Sequence, residues 1–336
     1  MHEATLYKKL DNKTVECFAC SHRCKISENQ RGICGVRKNI DGKLYLLVYG
    51  KAVAMNVDPI EKKPLFHFFP NTKVISIGTI GCNFKCDFCQ NYDISQFHKQ
   101  SKAIAGEDVP PDFLVNYALQ NNIPSIAYTY NEPAIYFEYA YDTAKLAHEK
   151  GIKNVYVSNG FETPEALKKI APYLDAINID LKSFSEDFYR KVCGGKLEPV
   201  LETIKLAHKL KIWIEITTLV IPNNNDDPEE LKQIAEFIKS VSPEIPWHIS
   251  RFFSCYKMND LPATSPETLE KAYKIGRKAG LKQVYIGNMQ TDRYENTYCP
   301  KCNKNLIERI GYTTSEKWKK AGECPKCKTN IEGIWN

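Results

Sequence analysis

The chain has 336 residues, enough to bury one large core and to carry small attached modules. Hydrophobic residues make up 43% and charged residues 26%, a globular composition, and no run reads as a signal peptide or an 18-residue apolar span. A cytoplasmic location without membrane contact is therefore expected. The net charge of +6, from 46 basic and 40 acidic residues, gives little reason to expect nucleic acid as a partner.

Thirteen cysteines in such a chain point to metal rather than to disulfides. Four fall at 17–34, three at 82–89 and four at 299–327, with Cys193 and Cys255 standing alone. The grouping predicts an N-terminal cysteine-rich module over 1–69, a large domain over 70–290, and a C-terminal module over 291–336. The first module reads Cys17-x2-Cys20-x-His22-x-Cys24, followed by Cys34-Gly35. Cys17, Cys20, Cys24 and Cys34 form a set compatible with tetrahedral zinc, while a second iron–sulfur cluster or an unmetallated thiol-rich loop stays open. Residues 43–57 read as one or two strands broken at Gly50, and 58–65 as a turn-rich connection.

A buried-looking run, Val74-Ile75-Ser76-Ile77, then leads into Cys82-x3-Cys86-x2-Cys89. Three thiolates on one tight loop suit a four-iron cubane, each taking one corner. No fourth cysteine lies in the loop, so one iron is left for an exogenous ligand. A structural zinc site instead takes four protein ligands. A zinc loop or unligated core cysteines are the alternatives on the triplet alone.

The domain that follows alternates strands and helices. Strands are expected at 74–79, 124–129, 153–158, 175–181, 211–221, 246–252 and 282–287, with a helix over 134–149. Thr163-Pro164-Glu165 and Ser265-Pro266-Glu267 read as helix starts, a capping hydroxyl followed by proline. Repeated βα units predict an α/β fold, a parallel sheet curved into a partial or full barrel. Function in such barrels sits at the C-terminal strand ends. The expected ends carry Asn131-Glu132-Pro133, Ser158-Asn159-Gly160, Asp180-Leu181-Lys182, the run 221–226, His248 to Phe252, and Asn288. The aromatic residues of 128–141 are expected in the core, and Cys193 and Cys255 as buried, inert thiols, with a role as hydrogen donor or substrate contact left open for Cys193 before Gly194-Gly195. Finally, Cys299-Pro-Lys-Cys302 and Cys324-Pro-Lys-Cys327 are two knuckles of a zinc ribbon, with a rubredoxin-like iron as the alternative.

The Cys82, Cys86, Phe88, Cys89 loop after a first barrel strand resembles the mark of the radical SAM superfamily. Residues 70–290 are similar to the branch containing pyruvate formate-lyase activating enzyme and other activators of glycyl radical enzymes. That resemblance implies a [4Fe-4S] cluster on Cys82, Cys86 and Cys89, and S-adenosylmethionine at its open iron. It further implies Glu132 at the cofactor's amino group, Lys182 with Asp180 near its carboxylate, Ser158 and Asn159 beside it, His248 near the adenosine, and Phe88 against the adenine. Nearly the full chain resembles the AmmeMemoRadiSam-system enzymes, through the cysteine runs at both ends, Asn131-Glu132-Pro133, Val192-Cys193-Gly194, 247–252 and 285–288. The implied activity is anaerobic: reductive cleavage of S-adenosylmethionine to a 5′-deoxyadenosyl radical, which abstracts hydrogen from an unassigned substrate. The alternatives are installation of a glycyl radical on a partner protein, RNA modification, or a zinc-binding scaffold. Implied partners are a reductant such as flavodoxin or ferredoxin, a small-molecule or protein substrate, and Memo-like and AMMECR-like proteins.

Overall fold

The computed structural model describes residues 1–96, 103–291 and 293–335. Its centre is an eight-stranded sheet: β1 (Ala54–Pro59), β2 (Lys73–Gly78), β3 (Ser125–Tyr128), β4 (Lys153–Ser158), β5 (Ala176–Asp180), β6 (Trp213–Val220), β7 (Trp247–Arg251) and β8 (Val284–Gly287). Each strand pairs with its successor in the chain, so β1 and β8 form the two edges. Every pairing from β2 to β8 is parallel, and β1 alone runs antiparallel, along β2. This sequential order is that of a βα barrel opened along one seam, rather than of a doubly wound sheet.

The strands are where the sequence places them because they are apolar on both faces. Val74, Ile75 and Ile77 in β2 are fully buried, as are Ile177 and Ile179 in β5. The helices between them are started by local chemistry. Thr163 Oγ1 accepts from Ala166 N at 3.1 Å and Ser265 Oγ from Thr268 N at 3.2 Å, each followed by proline. The helix expected over 134–149 begins as a 3-10 turn, Pro133–Tyr136, and continues as Phe137–Glu149. Most of its aromatic residues enter the core, with Tyr136, Phe137 and Tyr139 at most 1% exposed.

The strands at the two ends of the chain are short. Residues 1–46 contribute two three-stranded antiparallel sheets, and residues 297–316 a third. Strand β1 lies in the stretch that the cysteine grouping assigns to the N-terminal module, yet it joins the central sheet. The C-terminal module is fastened to the segment 61–69 under the barrel. Arg309, 1% exposed, donates to Phe66 O at 2.8 Å and Thr297 Oγ1 at 2.9 Å, with its guanidinium 4.1 Å from the centre of the Phe66 ring. Phe69 N donates to Ile334 O at 2.7 Å, and Ile334 N to His67 O at 2.8 Å. Arg309→Met leaves Phe66 O and Thr297 Oγ1 without their buried donor. The loss is expected to be roughly 2–4 kcal/mol of stability, read from the urea midpoint at constant m-value. No helix among the described residues is long and apolar enough to cross a membrane.

Candidate active site

The C-terminal ends of the strands surround a cavity of about 590 Å³, into which the loop after β2 projects Cys82, Cys86 and Cys89. The loop is held by the backbone of distant segments. Gly81 N donates to Ile94 O at 2.9 Å, Lys85 N to Cys193 O at 2.8 Å, and Asp87 N to Val192 O at 3.1 Å. Asn131 Nδ2 donates to Thr79 O at 2.7 Å and to Gly81 O at 2.8 Å. The sulfurs have polar neighbours: Phe84 N points at Cys82 Sγ from 3.4 Å, and Ser95 Oγ lies 3.2 Å from Cys89 Sγ. Cys82 and Cys86 are 8% exposed, and Cys89 is half-buried. The three thiols therefore share one protected wall.

Cys193 lies against the cysteine loop, its carbonyl accepting from Lys85 N. It ends a π-helical turn, Tyr189–Cys193, and is fully buried. The neighbouring Cys193 thiol, with burial adding to its effect, pushes the Cys86 thiol well above its usual range. The two glycines after it let this turn pack against Phe84 and Lys85 of the cysteine loop. Gly194 has φ +75°, and a Cβ on Gly195 would sit 2.3 Å from the Phe84 ring. Cys255, also read as inert, directs its sulfur at Cys89 O from 3.5 Å.

Phe88, Ser158, Asn159, Asp180 and Lys182 all reach the same cavity. Lys182 Nζ is 2.8 Å from Asp180 Oδ2 and 5.7 Å from the centre of the Phe88 ring. Burial works against its ammonium, but Asp180 and the Cys86 sulfur hold its pKa well above the ordinary lysine range. Asn159 Nδ2 donates to Asn83 Oδ1 at 2.7 Å, tying the turn after β4 to the cysteine loop. Lys63 also reaches the cavity, paired with Asp58 Oδ2 at 2.8 Å. Tyr130 faces it too, at φ +69°, and is the exception to the expected aromatic core. Tyr312 brings the C-terminal module to the rim.

Two residues expected at the cofactor, Glu132 and His248, are not among those lining the cavity. Glu132 is 0% exposed and does not line the cavity. Its carboxylate accepts from Ala134 N at 3.0 Å, Asn159 N at 2.8 Å and Ser158 Oγ at 3.0 Å, so it fixes the turn behind the wall. Glu162 lies beyond the same serine; burial pushes both carboxyls up, and the charge of Glu132 adds to it at Glu162. Glu132 has three donors, whereas Glu162 Oε2 has no partner among the described residues, so the proton belongs on Glu162. His248 is the second case. Its Nε2 lies 2.6 Å from Glu215 Oε2, with Phe66 edge-on and Tyr285 stacked, inside the barrel and away from the cavity. Glu215 also takes Phe66 N at 3.0 Å and His67 N at 2.7 Å, so His248 completes the shell of a buried carboxylate. The run 221–226 is likewise structural: Asn225 bridges Ile221 N, Lys182 O and Leu219 O.

At the chain's end, Cys299, Cys302, Cys324 and Cys327 bring their sulfurs within 4.8 Å of one another. They are the one set of three or more metal-competent side chains, among the described residues, whose ligand atoms stand that close. The N-terminal four, Cys17, Cys20, Cys24 and Cys34, line a separate small cavity with His22 and Arg37.

A parallel βα barrel with three thiols on the loop after its first parallel strand defines a class of iron–sulfur enzymes that use S-adenosylmethionine. Comparison agrees: the model of the radical SAM superfamily matches residues 76–238. The chain belongs to the radical SAM superfamily, and it is an enzyme of that class. It is 48% identical to an uncharacterized protein of Methanocaldococcus jannaschii over 310 residues, 92% of each chain. It is 22% identical to the pyruvate formate-lyase-activating enzyme of Listeria monocytogenes over 58% of this chain and 86% of that one. Among solved structures, Streptococcus suis SuiB bound to S-adenosylmethionine superposes with a TM-score of 0.51 at 13% identity, over 68% of this chain and 53% of that one. The last likeness concerns the fold alone. Family membership implies an iron–sulfur cluster and S-adenosylmethionine.

Proposed function

We propose that Cys82, Cys86 and Cys89 hold a [4Fe-4S] cluster at the barrel mouth, and that hydrogen is taken there from a substrate facing the same cavity. The observation that carries this reading is the convergence of three thiols, the Lys182 ammonium and the Phe88 ring on one cavity. The wall also carries Asn131, whose Oδ1 is buried without a hydrogen-bond partner among the described residues, an acceptor suited to a cofactor ammonium. When bound, the cluster and S-adenosylmethionine supply one-electron cleavage of the sulfonium to methionine and a 5′-deoxyadenosyl radical. The chain's own residues bind and shield. Lys182 pairs with the cofactor carboxylate, Phe88 offers an apolar face to the adenine, and Ser158, Asn159 and Asp180 line the remaining wall. Burial of the thiol wall keeps bulk water away.

The activating-enzyme relative supports a protein acceptor as the first substrate class to test. A reductant such as flavodoxin or ferredoxin, and a cytoplasmic location, fit this chemistry. Memo-like and AMMECR-like partners rest on sequence resemblance. The C-terminal thiol grouping supports zinc, whose four sulfurs stand close together. Stripping that ion with a chelator is expected to raise amide exchange in Asn305–Ile310 and leave β4 and β5 protected.

The test is deuterium transfer into 5′-deoxyadenosine by anaerobically reconstituted, reduced protein. Deuterated cell extract is supplied as separate low-mass and macromolecular fractions. Label from the low-mass fraction assigns a metabolite; label only from the macromolecular fraction, lost after protease, assigns a protein. No cofactor cleavage by any reconstituted preparation overturns the proposal. Lys182→Met is expected to raise the S-adenosylmethionine concentration for half-maximal cleavage roughly 10- to 100-fold, the worth of one charge-assisted bond at about 1.5–3 kcal/mol.

A further inference from the structure

We infer that Cys17, Cys20, Cys24 and Cys34 hold a second iron–sulfur cluster of the cubane type, rather than a zinc ion. All four line one cavity, together with His22, Arg37 and the residues Ala134 and Ile135 that follow the Glu132 turn. The sulfur spacing separates the two metal chemistries. A single tetrahedral zinc with bonds of about 2.3 Å draws its four sulfurs to within roughly 4 Å of one another. The C-terminal four meet that requirement, with Cys299 and Cys327 sulfurs 3.5 Å apart, Cys302 and Cys324 likewise, and all four within 4.8 Å. The N-terminal four converge on a common space but do not form such a grouping. Cys82, Cys86 and Cys89 line one cavity and likewise form no such close grouping. A cubane binds each thiolate at a different iron, so its ligands surround a volume instead of meeting at a point.

The surroundings suit a cluster. The cavity is almost wholly apolar, bounded by Ala19, Ile26 and Ile135, all at most 2% exposed. Three of the four thiols are buried, and Cys24 is half-buried. The site also lies back to back with the Cys82 loop. His22 Nε2 is 2.9 Å from Asn83 O, and a Cβ added to Gly81 would stand 2.9 Å from Cys34 O. Ser21 N donates to Phe161 O at 2.9 Å, fixing the thiol loop to the turn after β4. Gly81, at φ +100°, is the residue that permits this approach.

The test is metal stoichiometry with Mössbauer and EPR spectra of the reconstituted full chain. The expected content is about eight irons and one zinc per chain. Replacing Cys82, Cys86 and Cys89 together by alanine is expected to leave about four irons with a cubane spectrum. Adding Cys17→Ala and Cys20→Ala should then remove them. Cys24→Ser, at the half-buried position, guards against simple misfolding: it should keep native circular dichroism while altering one of two overlapping spectra. Two zincs and about four irons in the wild-type chain overturn the inference, as does an N-terminal site without metal. The failures are separable from those of the proposed activity. If the triple alanine variant loses all iron, the second cluster is refuted while the first stands. If the triple variant and the wild type both hold about four irons, the first is refuted while the second stands.

Discussion

Cys86→Ala is expected to abolish 5′-deoxyadenosine release, leaving only background from reductant and free iron. Cys86 sits at the centre of the thiol wall, 8% exposed, with Lys182 and Cys193 both acting on its sulfur. Two remaining thiolates cannot fix three corners of a cubane, so the iron belonging to this site should fall with the activity. The check is parallel: product by chromatography and iron by colorimetry on the same preparation. Activity above background in the alanine variant would remove this loop from the chemistry. Cys193→Ala makes a finer comparison, because a polar thiol beside a ligating sulfur stabilises the reduced cluster. The variant should keep its iron and show a more negative midpoint potential in a redox titration followed by EPR.

Glu138→Gln is expected to produce the largest loss of stability, about 3–5 kcal/mol, through the ion pair beneath the N-terminal thiols. Arg37 and Glu138 are each 2% exposed, with Nη2 and Oε2 2.6 Å apart. Arg37 Nε also donates to Ile135 O at 2.9 Å, and Thr5 N donates to Glu138 Oε1 at 2.9 Å. The variant keeps the shape but leaves the guanidinium buried without its counter-charge. The pH dependence has a definite sign. Burial would raise the Glu138 carboxyl, but Arg37 outweighs it and holds it below its ordinary 4.5. A depressed carboxyl contributes stability that is present above its unfolded value and lost as pH falls through the folded one. The gap between wild type and Glu138→Gln should therefore be full at pH 6–7 and shrink below about pH 4.5. Urea midpoints at several pH values measure it, and a gap that stays constant down to pH 3 would exclude the pair as its source.

The sequence by itself determined the architecture and the chemistry-bearing groups of this protein. Buried strands such as Val74 to Ile77 are apolar on both faces, and capped helix starts such as Thr163-Pro164 are local, so both survive translation into the fold. The spacing of Cys82, Cys86 and Cys89 needs only one loop, and the C-terminal knuckles need only two. The tertiary structure decided the direction of side chains beside those motifs. Past a strand end the chain turns, so a motif names a strand end without naming which of its residues enters the cavity. Thus Tyr130 and Asn131 face the cavity, while Glu132 turns inward to three hydrogen-bond donors. His248 goes to Glu215 because a buried carboxylate thirty-three residues away requires a donor there. Cys193 reaches Cys86 across more than a hundred residues through a π-helical turn that two glycines let pack against the cysteine loop. The spacing of Cys17, Cys20, Cys24 and Cys34 was legible from the start, but whether the sulfurs meet at a point or surround a volume depends on packing against Ala134, Ile135 and the Cys82 loop. Local sequence sets which groups are available; long-range packing sets which of them meet.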